Sequence, residues 1–255
     1  MIITTEKQRA TLIEAGRRLA AVLEACADKV APGVSTEELD DLAEQLIRDG
    51  GDEPAFLGYT PEGAARPYPA TLCVSINEEV VHGIPNEETK ILKLGDIVGL
   101  DLGLVHGGII VDAAVTVAVG QTDSASLALM RATEEALVRG IDAAQVGNHI
   151  GDISSAIEKA FKGTGFSVVK ELGGHGVGDH VHEEPFVPNF GKEGEGEELV
   201  EGMVLALEPI ASAGKAAVVI APDGYTYRTK DGSRSAHFEH TILIEKDGPL
   251  VVTKA

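Results

Sequence analysis

Apolar residues recur along the chain in two rhythms, one helical and one strand-like. Residues 6–29 place Leu12, Ala15, Leu19, Val22, Leu23 and Cys26 on one stripe at helical spacing. Pro32-Gly33 breaks that run, and Ser35 caps a second helix in which Glu38 completes a capping box. Leu39, Leu42, Ala43, Leu46 and Ile47 supply its apolar face before Gly50-Gly51 ends it. A third helix is predicted over 124–144, with Leu127, Met130, Leu137 and Ile141 in its stripe and Glu134 interrupting it. Gly147 stops it, Asp152 caps a fourth that runs through Phe161, and Gly163-Thr164-Gly165 closes that one. Strands are predicted at 71–76, 166–171, 203–210, 216–221 and 237–245, with a turn at Asn77-Glu78-Glu79 and a Gly- and Glu-rich loop at 186–202. The pattern Gly33…Leu39-x-x-Leu42-Ala43 returns as Gly147…Ile153-x-x-Ala156-Ile157, which points to two helix–helix–sheet halves.

Residues 95–120 read as two apolar strands joined by a short turn at Val105-His106-Gly107-Gly108. A two-residue loop at His106-Gly107 pairs Leu104 with Ile109 and Gly103 with Ile110, and sets Asp101 directly across from Asp112. Facing side chains in an antiparallel pair lie about 5 Å apart, where like charges are destabilising. Ionised carboxylates among apolar residues are costlier still. A cation or a shifted pKa makes such a pair tolerable; otherwise both aspartates flank the turn or face solvent.

Further polar groups interrupt apolar or Gly-rich surroundings. His175 sits in Gly173-Gly174-His175-Gly176-Val177-Gly178, where flanking glycines leave the imidazole accessible. Glu208 ends the run Met203-Val204-Leu205-Ala206-Leu207, and Glu239 is embedded in strand pattern beside His237 and His240. Those two histidines either orient neighbouring ligands or pack within the strand. Asp101, Asp112, His175, Glu208 and Glu239 together offer one imidazole and four carboxylates. Two divalent cations balance the four negative charges, and an oxygen-rich set suits Mn, Fe, Co or Zn better than a closed thiolate zinc site. Such a pair can activate a water for hydrolysis. The long connection 53–69 carries Phe56, Tyr59 and Tyr68, as part of a binding site or as a surface loop packed back on the core.

Composition narrows the setting. The chain has 255 residues, a formal net charge of −20, no tryptophan and two cysteines. The charge disfavours nucleic acid and anionic membrane as partners. No apolar run approaches the roughly 20 residues of a membrane span. No signal peptide is visible, and cysteine usage fits a reducing cytosol, so a cytoplasmic location is expected.

At this point the sequence resembles the type I methionine aminopeptidases, in the metallopeptidase family that also holds proline-specific aminopeptidases and prolidases. The likeness covers essentially the whole chain. It is carried by CVSINEEVVHGIP at 73–85, GDIVGLDLG at 95–103 with Asp112, GGHGVG at 173–178, HEEP at 182–185, LEPI at 207–210 and SAHFEHTILI at 235–244. The resemblance implies an α+β pita-bread fold: a curved antiparallel sheet backed by helices, with a pseudo-two-fold between approximate halves 1–122 and 123–255 of one catalytic domain. It implies two divalent metals, with Asp101 chelating one, Asp112 and Glu239 bridging, and His175 and Glu208 on the other. A water activated between them attacks the first peptide carbonyl of a substrate with a free N-terminal methionine. Glu208 is then the proton shuttle, His182 steadies the tetrahedral oxyanion, and His82 lies near the leaving nitrogen; the alternative for both histidines is a structural role.

The resemblance also implies a methionine pocket of Phe56, Tyr59, Tyr68, Cys73, Val181 and Tyr225. Cys73 has a second reading as a small buried hydrophobe. Here the sequence departs from the common pattern. Phe56 stands where a small residue is frequent, Tyr225 where Trp is frequent and Val181 where an aromatic is frequent, and the segment between Tyr59 and Tyr68 is longer than usual. Only 25 residues separate His182 from Glu208, which leaves no room for the helical subdomain of type II enzymes. An N-terminal zinc-binding extension is also missing, so a compact bacterial-style enzyme is expected. It is expected to act as a monomer on peptides and nascent proteins, with transient proximity to the ribosome and preference for a small second residue. The competing readings are an Xaa-Pro aminopeptidase or prolidase, and a non-catalytic pita-bread binding module.

Overall fold

The computed structural model describes residues 1–61 and 63–254. Helix α1 spans Glu6–Lys29 and α2 spans Thr36–Asp49, each opened by a reciprocal capping box, Thr5 with Gln8 and Ser35 with Glu38. Helices α3, Ser124–Ala143, and α4, Ile150–Ala160, form the second pair. Two details of that pair differ from the sequence reading. Helix α4 starts at Ile150, because Asp152 accepts the His149 N–H at 2.7 Å from the third helical position. Helix α3 buries Ser126, Leu129, Thr133, Ala136, Leu137 and Gly140; of the predicted stripe Leu137 is buried and Met130 and Ile141 are half-buried against the core, but Leu127 is exposed. Small residues win that face because α4 packs so close that a Cβ on Gly140 would lie 2.8 Å from the Ile157 side chain.

The strands are β1 Glu53–Pro54, β2 Leu72–Ile76, β3 Glu79–Val81, β4 Ile97–His106, β5 Ile109–Ala118, β6 Ser167–Val168, β7 Gly173–Gly176 and β8 Glu183–Pro188. They continue as β9 Val204–Leu207, β10 Ile210–Ser212, β11 Val218–Ile220, β12 Tyr227–Thr229, β13 Ser235–His237, β14 Glu239–Leu243 and β15 Leu250–Val251. Glu79 therefore belongs to a strand and not to the preceding turn, and β8 enters the segment read as a loop from 186 onward. The main sheet runs β1-β4-β5-β14-β9-β7-β8, with β2 beside β4 and β15 beside β14, all pairings antiparallel.

That order repeats about an axis between β5 and β14. From the outside inward, one half reads β2-β4-β5 and the other β7-β9-β14. Helices α1 and α2 cover the first set through Leu12, Leu19, Leu39 and Ile47. Helices α3 and α4 cover the second through Leu129, Leu137, Ile153 and Ile157. Among the described residues, no helix is long and apolar enough to cross a membrane.

The hairpin turn falls at Gly107-Gly108, with φ of 57° and 82°. A two-residue turn that matches strand twist needs positive φ at both positions, which glycine accepts and His106 does not. His106 accordingly pairs with Ile109, so the register is displaced by two residues from the one read in the sequence. Asp112 faces Gly103 and Asp101 faces Ala114.

The outer strand β2 is pinned to α2 by one carboxylate. Buried Asp40 accepts the N–H groups of Thr71 at 2.8 Å and Leu72 at 2.9 Å, and the Asn86 amide at 3.1 Å. Asp40→Ala strands two buried donors and is expected to lower stability by about 2–4 kcal/mol. Urea denaturation measures this; an unshifted midpoint would mean that β2 does not depend on the carboxylate.

Candidate metal centre

Alternate residues of a strand share a face, so the sheet register decides which side chains can meet. Asp101 on β4, Ala114 on β5 and Glu239 on β14 form one row across three strands. Asp112 is two residues from Ala114 and therefore on the same face, diagonal to Asp101 and to Glu239. On the far side, Glu208 and Glu239 follow the paired residues Leu207 and His240 in the same direction. His175 pairs with Ala206, two residues before Glu208. All five candidate ligands thus rise from one face of the sheet. Ala114, Ala206 and Gly103 lie between them, and their small size leaves the floor open. The displaced register keeps the aspartates together, because a shift of two preserves the face.

His175 is buried, contrary to the accessible imidazole inferred from its glycine neighbours. Those glycines serve packing. Strand β7 threads between β8 and β9, and a Cβ at Gly174 would lie 2.2 Å from the Ala206 carbonyl oxygen. The His175 Nδ1–H donates to the Gly176 carbonyl at 2.9 Å, which leaves Nε2 as a lone-pair donor. That Nε2 lies 3.9 Å from Glu208 Oε1 and 3.9 Å from Glu239 Oε1. The Asn189 amide holds the Glu208 carbonyl at 3.0 Å.

Burial, reinforced by the neighbouring carboxylates, raises Asp112, Glu208 and Glu239 well above the usual carboxyl range, and burial lifts Asp101 to about 7. Burial also lowers His175 to about 3, so its imidazole is neutral, as a ligand must be. Among the described residues, six buried side-chain polar atoms have no hydrogen-bond partner. Four of them lie here: Asp101 Oδ1, Asp112 Oδ1, Glu239 Oε1 and His237 Nε2. Buried polar atoms are normally satisfied, so orphan oxygens clustered around a neutral imidazole fit a divalent cation. Asp112, His175 and Glu239 each offer a ligand atom within 4.8 Å of the others, as do Glu208, His237 and Glu239.

One cavity joins these ligands to the residues that the resemblance implied around the substrate: Phe56, Tyr59, Tyr68, Cys73, His82, Val181, His182 and Tyr225 all line it. Cys73 is placed there by its pairing with Asp101. Tyr68 and Tyr225 meet edge to face at 5.2 Å, and Phe56, Tyr68, Cys73, Val181 and Tyr225 form one buried apolar cluster. His182 stacks edge-on against His175 at 4.5 Å, and its Nδ1 is 3.0 Å from the Tyr59 hydroxyl. His82 adopts φ 57°, uncommon for a non-glycine residue, and its ring meets Tyr227 edge-on. Pro61 also lines the cavity and was not singled out in the sequence; the Pro- and Gly-punctuated loop around it was its only signal.

A curved antiparallel sheet with paired helices and an internal two-fold is the pita-bread fold, and its acidic pocket with imidazole donors defines a metal-dependent hydrolase of that class. The profile described as Metallopeptidase family M24 matches residues 10–246. The chain is 45% identical over 243 residues to a methionine aminopeptidase of Aquifex aeolicus, covering 94% of each chain. It is 44% identical over 245 residues to methionine aminopeptidase 1 of Mycobacterium tuberculosis, covering 94% of this chain and 90% of the other. The crystal structure of a methionine aminopeptidase from Thermotoga maritima superimposes with a TM-score of 0.94 at 41% identity, covering 100% of both chains. The chain belongs to metallopeptidase family M24 and, within it, to the methionine aminopeptidases. A prolidase from Pyrococcus furiosus shares the fold at a TM-score of 0.75 and 21% identity, and this chain covers 66% of it.

The carboxyl pKa values set a pH dependence. In the unfolded chain these groups ionise near pH 4. Their raised values in the fold mean that protonation stabilises the metal-free protein at acid pH, and this contribution is lost as pH rises through about 7, where Asp101 titrates. A divalent cation favours the ionised forms instead. The increase in Tm that Mn, Co or Zn gives to chelator-stripped protein is therefore expected to be larger near pH 8 than near pH 5.5. An increase that is equal at both, or absent, would contradict the assignment.

Proposed function

We propose that the chain removes the N-terminal methionine from peptides and nascent proteins, with two divalent cations of the Co, Mn, Fe or Zn type at Asp101, Asp112, His175, Glu208 and Glu239. What carries the reading is the single cavity in which a carboxylate-lined floor adjoins a closed apolar cluster. Such a pocket suits an unbranched thioether side chain, and it lies beside the groups that would act on the first peptide bond. When bound, the cations supply an activated water and offset the charge of the carboxylates. Asp112 and Glu239, on the central strands β5 and β14, would be shared by both ions, with Asp101 serving one and His175 and Glu208 the other.

Glu208 takes the proton of the attacking water and returns it to the departing amine. His182, oriented through Nδ1 by the Tyr59 hydroxyl, donates from Nε2 to the developing oxyanion. Burial lowers His82 to about 4, so its neutral imidazole near the scissile nitrogen can accept or donate a hydrogen bond without carrying charge. Phe56, Tyr59, Tyr68, Cys73, Val181 and Tyr225 enclose the methionine side chain. The reading extends to a single catalytic domain with halves near 1–122 and 123–255, acting as a monomer in the cytoplasm on chains emerging near the ribosome.

Cleavage of Met-Ala-Ser, compared with an Xaa-Pro peptide of equal length, tests the substrate class: release of methionine with no cut of the Xaa-Pro peptide is expected. Cleavage of the Xaa-Pro peptide alone would reassign the enzyme. No metal-dependent cleavage of either would favour a binding module.

Two substitutions test the roles. Glu208→Gln is expected to lower kcat by roughly 10²–10⁴. His182→Ala is expected to lower it by about 10²–10³ with little change in KM. Full activity in either variant removes that residue from the mechanism.

A further inference from the structure

The five candidate ligands leave one buried nitrogen of the same cluster without a role. His237 ends β13 and is only 3% exposed. Its Nε2 lies 3.4 Å from Glu208 Oε2 and 3.5 Å from Glu239 Oε2, yet it hydrogen-bonds to neither. His175 faces the other oxygen of each glutamate, so both carboxylates are shared between two imidazoles, one per oxygen. Donors about 2.0–2.2 Å from a common cation lie roughly 3.0–3.6 Å from one another. The separations of the His237 nitrogen from the two carboxylate oxygens fall in that range.

Internal symmetry supplies an independent argument. The Thr241 hydroxyl accepts the Asp112 N–H at 2.9 Å and donates to the Asp112 carbonyl at 2.7 Å. The Thr116 hydroxyl accepts the His237 N–H at 2.9 Å and donates to the His237 carbonyl at 2.7 Å. Thr116 and Asp112 are four residues apart on β5. Thr241 and His237 are four apart along the chain of β13 and β14. The rotation that exchanges β5 with β14 therefore carries Thr116 onto Thr241 and Asp112 onto His237. The second half thus presents an imidazole at the position where the first half presents a carboxylate ligand.

We propose that His237 is a further metal ligand of this centre, contributing its Nε2 beside Glu208 and Glu239. The inference rests on the metal-centre reading above and adds a second imidazole to it. Imidazole suits Zn, Fe and Co, whereas an all-carboxylate surround suits Mn. A second imidazole therefore tilts the site toward the nitrogen-preferring ions.

The purified full chain loaded with Cu(II) tests this by electron spin-echo envelope modulation, which registers the remote nitrogen of each coordinated imidazole. The wild-type protein is expected to give the two-imidazole pattern and His237→Gln the one-imidazole pattern. By calorimetry, His237→Gln is expected to weaken Zn and Co binding by more than about tenfold while changing Mn binding less. A one-imidazole pattern in the wild type overturns the inference whatever the folding of the variant. A pattern unchanged in a folded His237→Gln overturns it too, and confines His237 to orienting Glu208. Wild-type protein that binds none of these ions would overturn the metal-centre reading, and the inference with it.

Discussion

Asp101, Asp112, Glu208 and Glu239 carry like charges into a part of the sheet that water barely reaches. Two unit charges 5 Å apart repel by about 3 kcal/mol even at an effective dielectric near 20. A typical hydrogen bond returns only about 1 kcal/mol net. Hydrogen bonding alone therefore cannot hold the four together in their ionised forms. Either protons or cations must sit among them.

The scaffold carries this cost because Asp101, Asp112, His175 and Glu239 stand on strands and Glu208 directly follows β9. Two helix pairs press the sheet from behind, each with its own apolar cluster. Two threonine hydroxyls, Thr116 and Thr241, bridge β5 to its neighbour where the backbone ladder opens, so the central strands cannot spread to relieve the repulsion. Fixed donors meet an incoming ion without reorganising, which is the condition for tight and selective binding. The same rigidity fixes where an activated water would stand relative to His182 and His82.

Much of this was legible in the sequence. The first two helices follow from their apolar stripes, and the second also from its capping box at Ser35 and Glu38; the observed Glu6–Lys29 and Thr36–Asp49 agree with those readings. Asp101, Asp112, Glu208 and Glu239 could be singled out because a carboxylate within or ending an apolar strand pattern is anomalous, whereas His175 drew notice only through its flanking glycines. The hairpin register differs from the one read from a turn at His106-Gly107; the positive φ of Gly107 and Gly108 moves the turn by one residue and the register by two. The buried face of α3 was read only in part, through Leu137, because it also uses Ser126, Thr133 and Gly140, whose contribution is closeness and not hydrophobicity. Strand β12 was missed because its three residues, Tyr227–Thr229, are too few to show a periodicity. His237 drew notice only through its neighbour Glu239; its relation to Asp112 exists only once the two halves are folded on each other.

The apolar pocket and the charged floor are products of one register. Cys73 faces Asp101 across β2 and β4, and Gly103 faces Asp112 across β4 and β5. A Cβ on Gly103 would stand 2.6 Å from the Phe56 ring, so it is this glycine that lets Phe56 close over the floor. A slip of one residue in β4 would send Asp101 and Gly103 to the helical face together. It would remove a candidate ligand and expel Phe56 in the same step. The shape of the apolar pocket and the placement of the candidate ligands are therefore set by the same strand pairings. Departures such as Phe56, Val181 and Tyr225 can reshape the pocket wall without moving a single donor, because the donors are fixed from below and the wall is laid on from above.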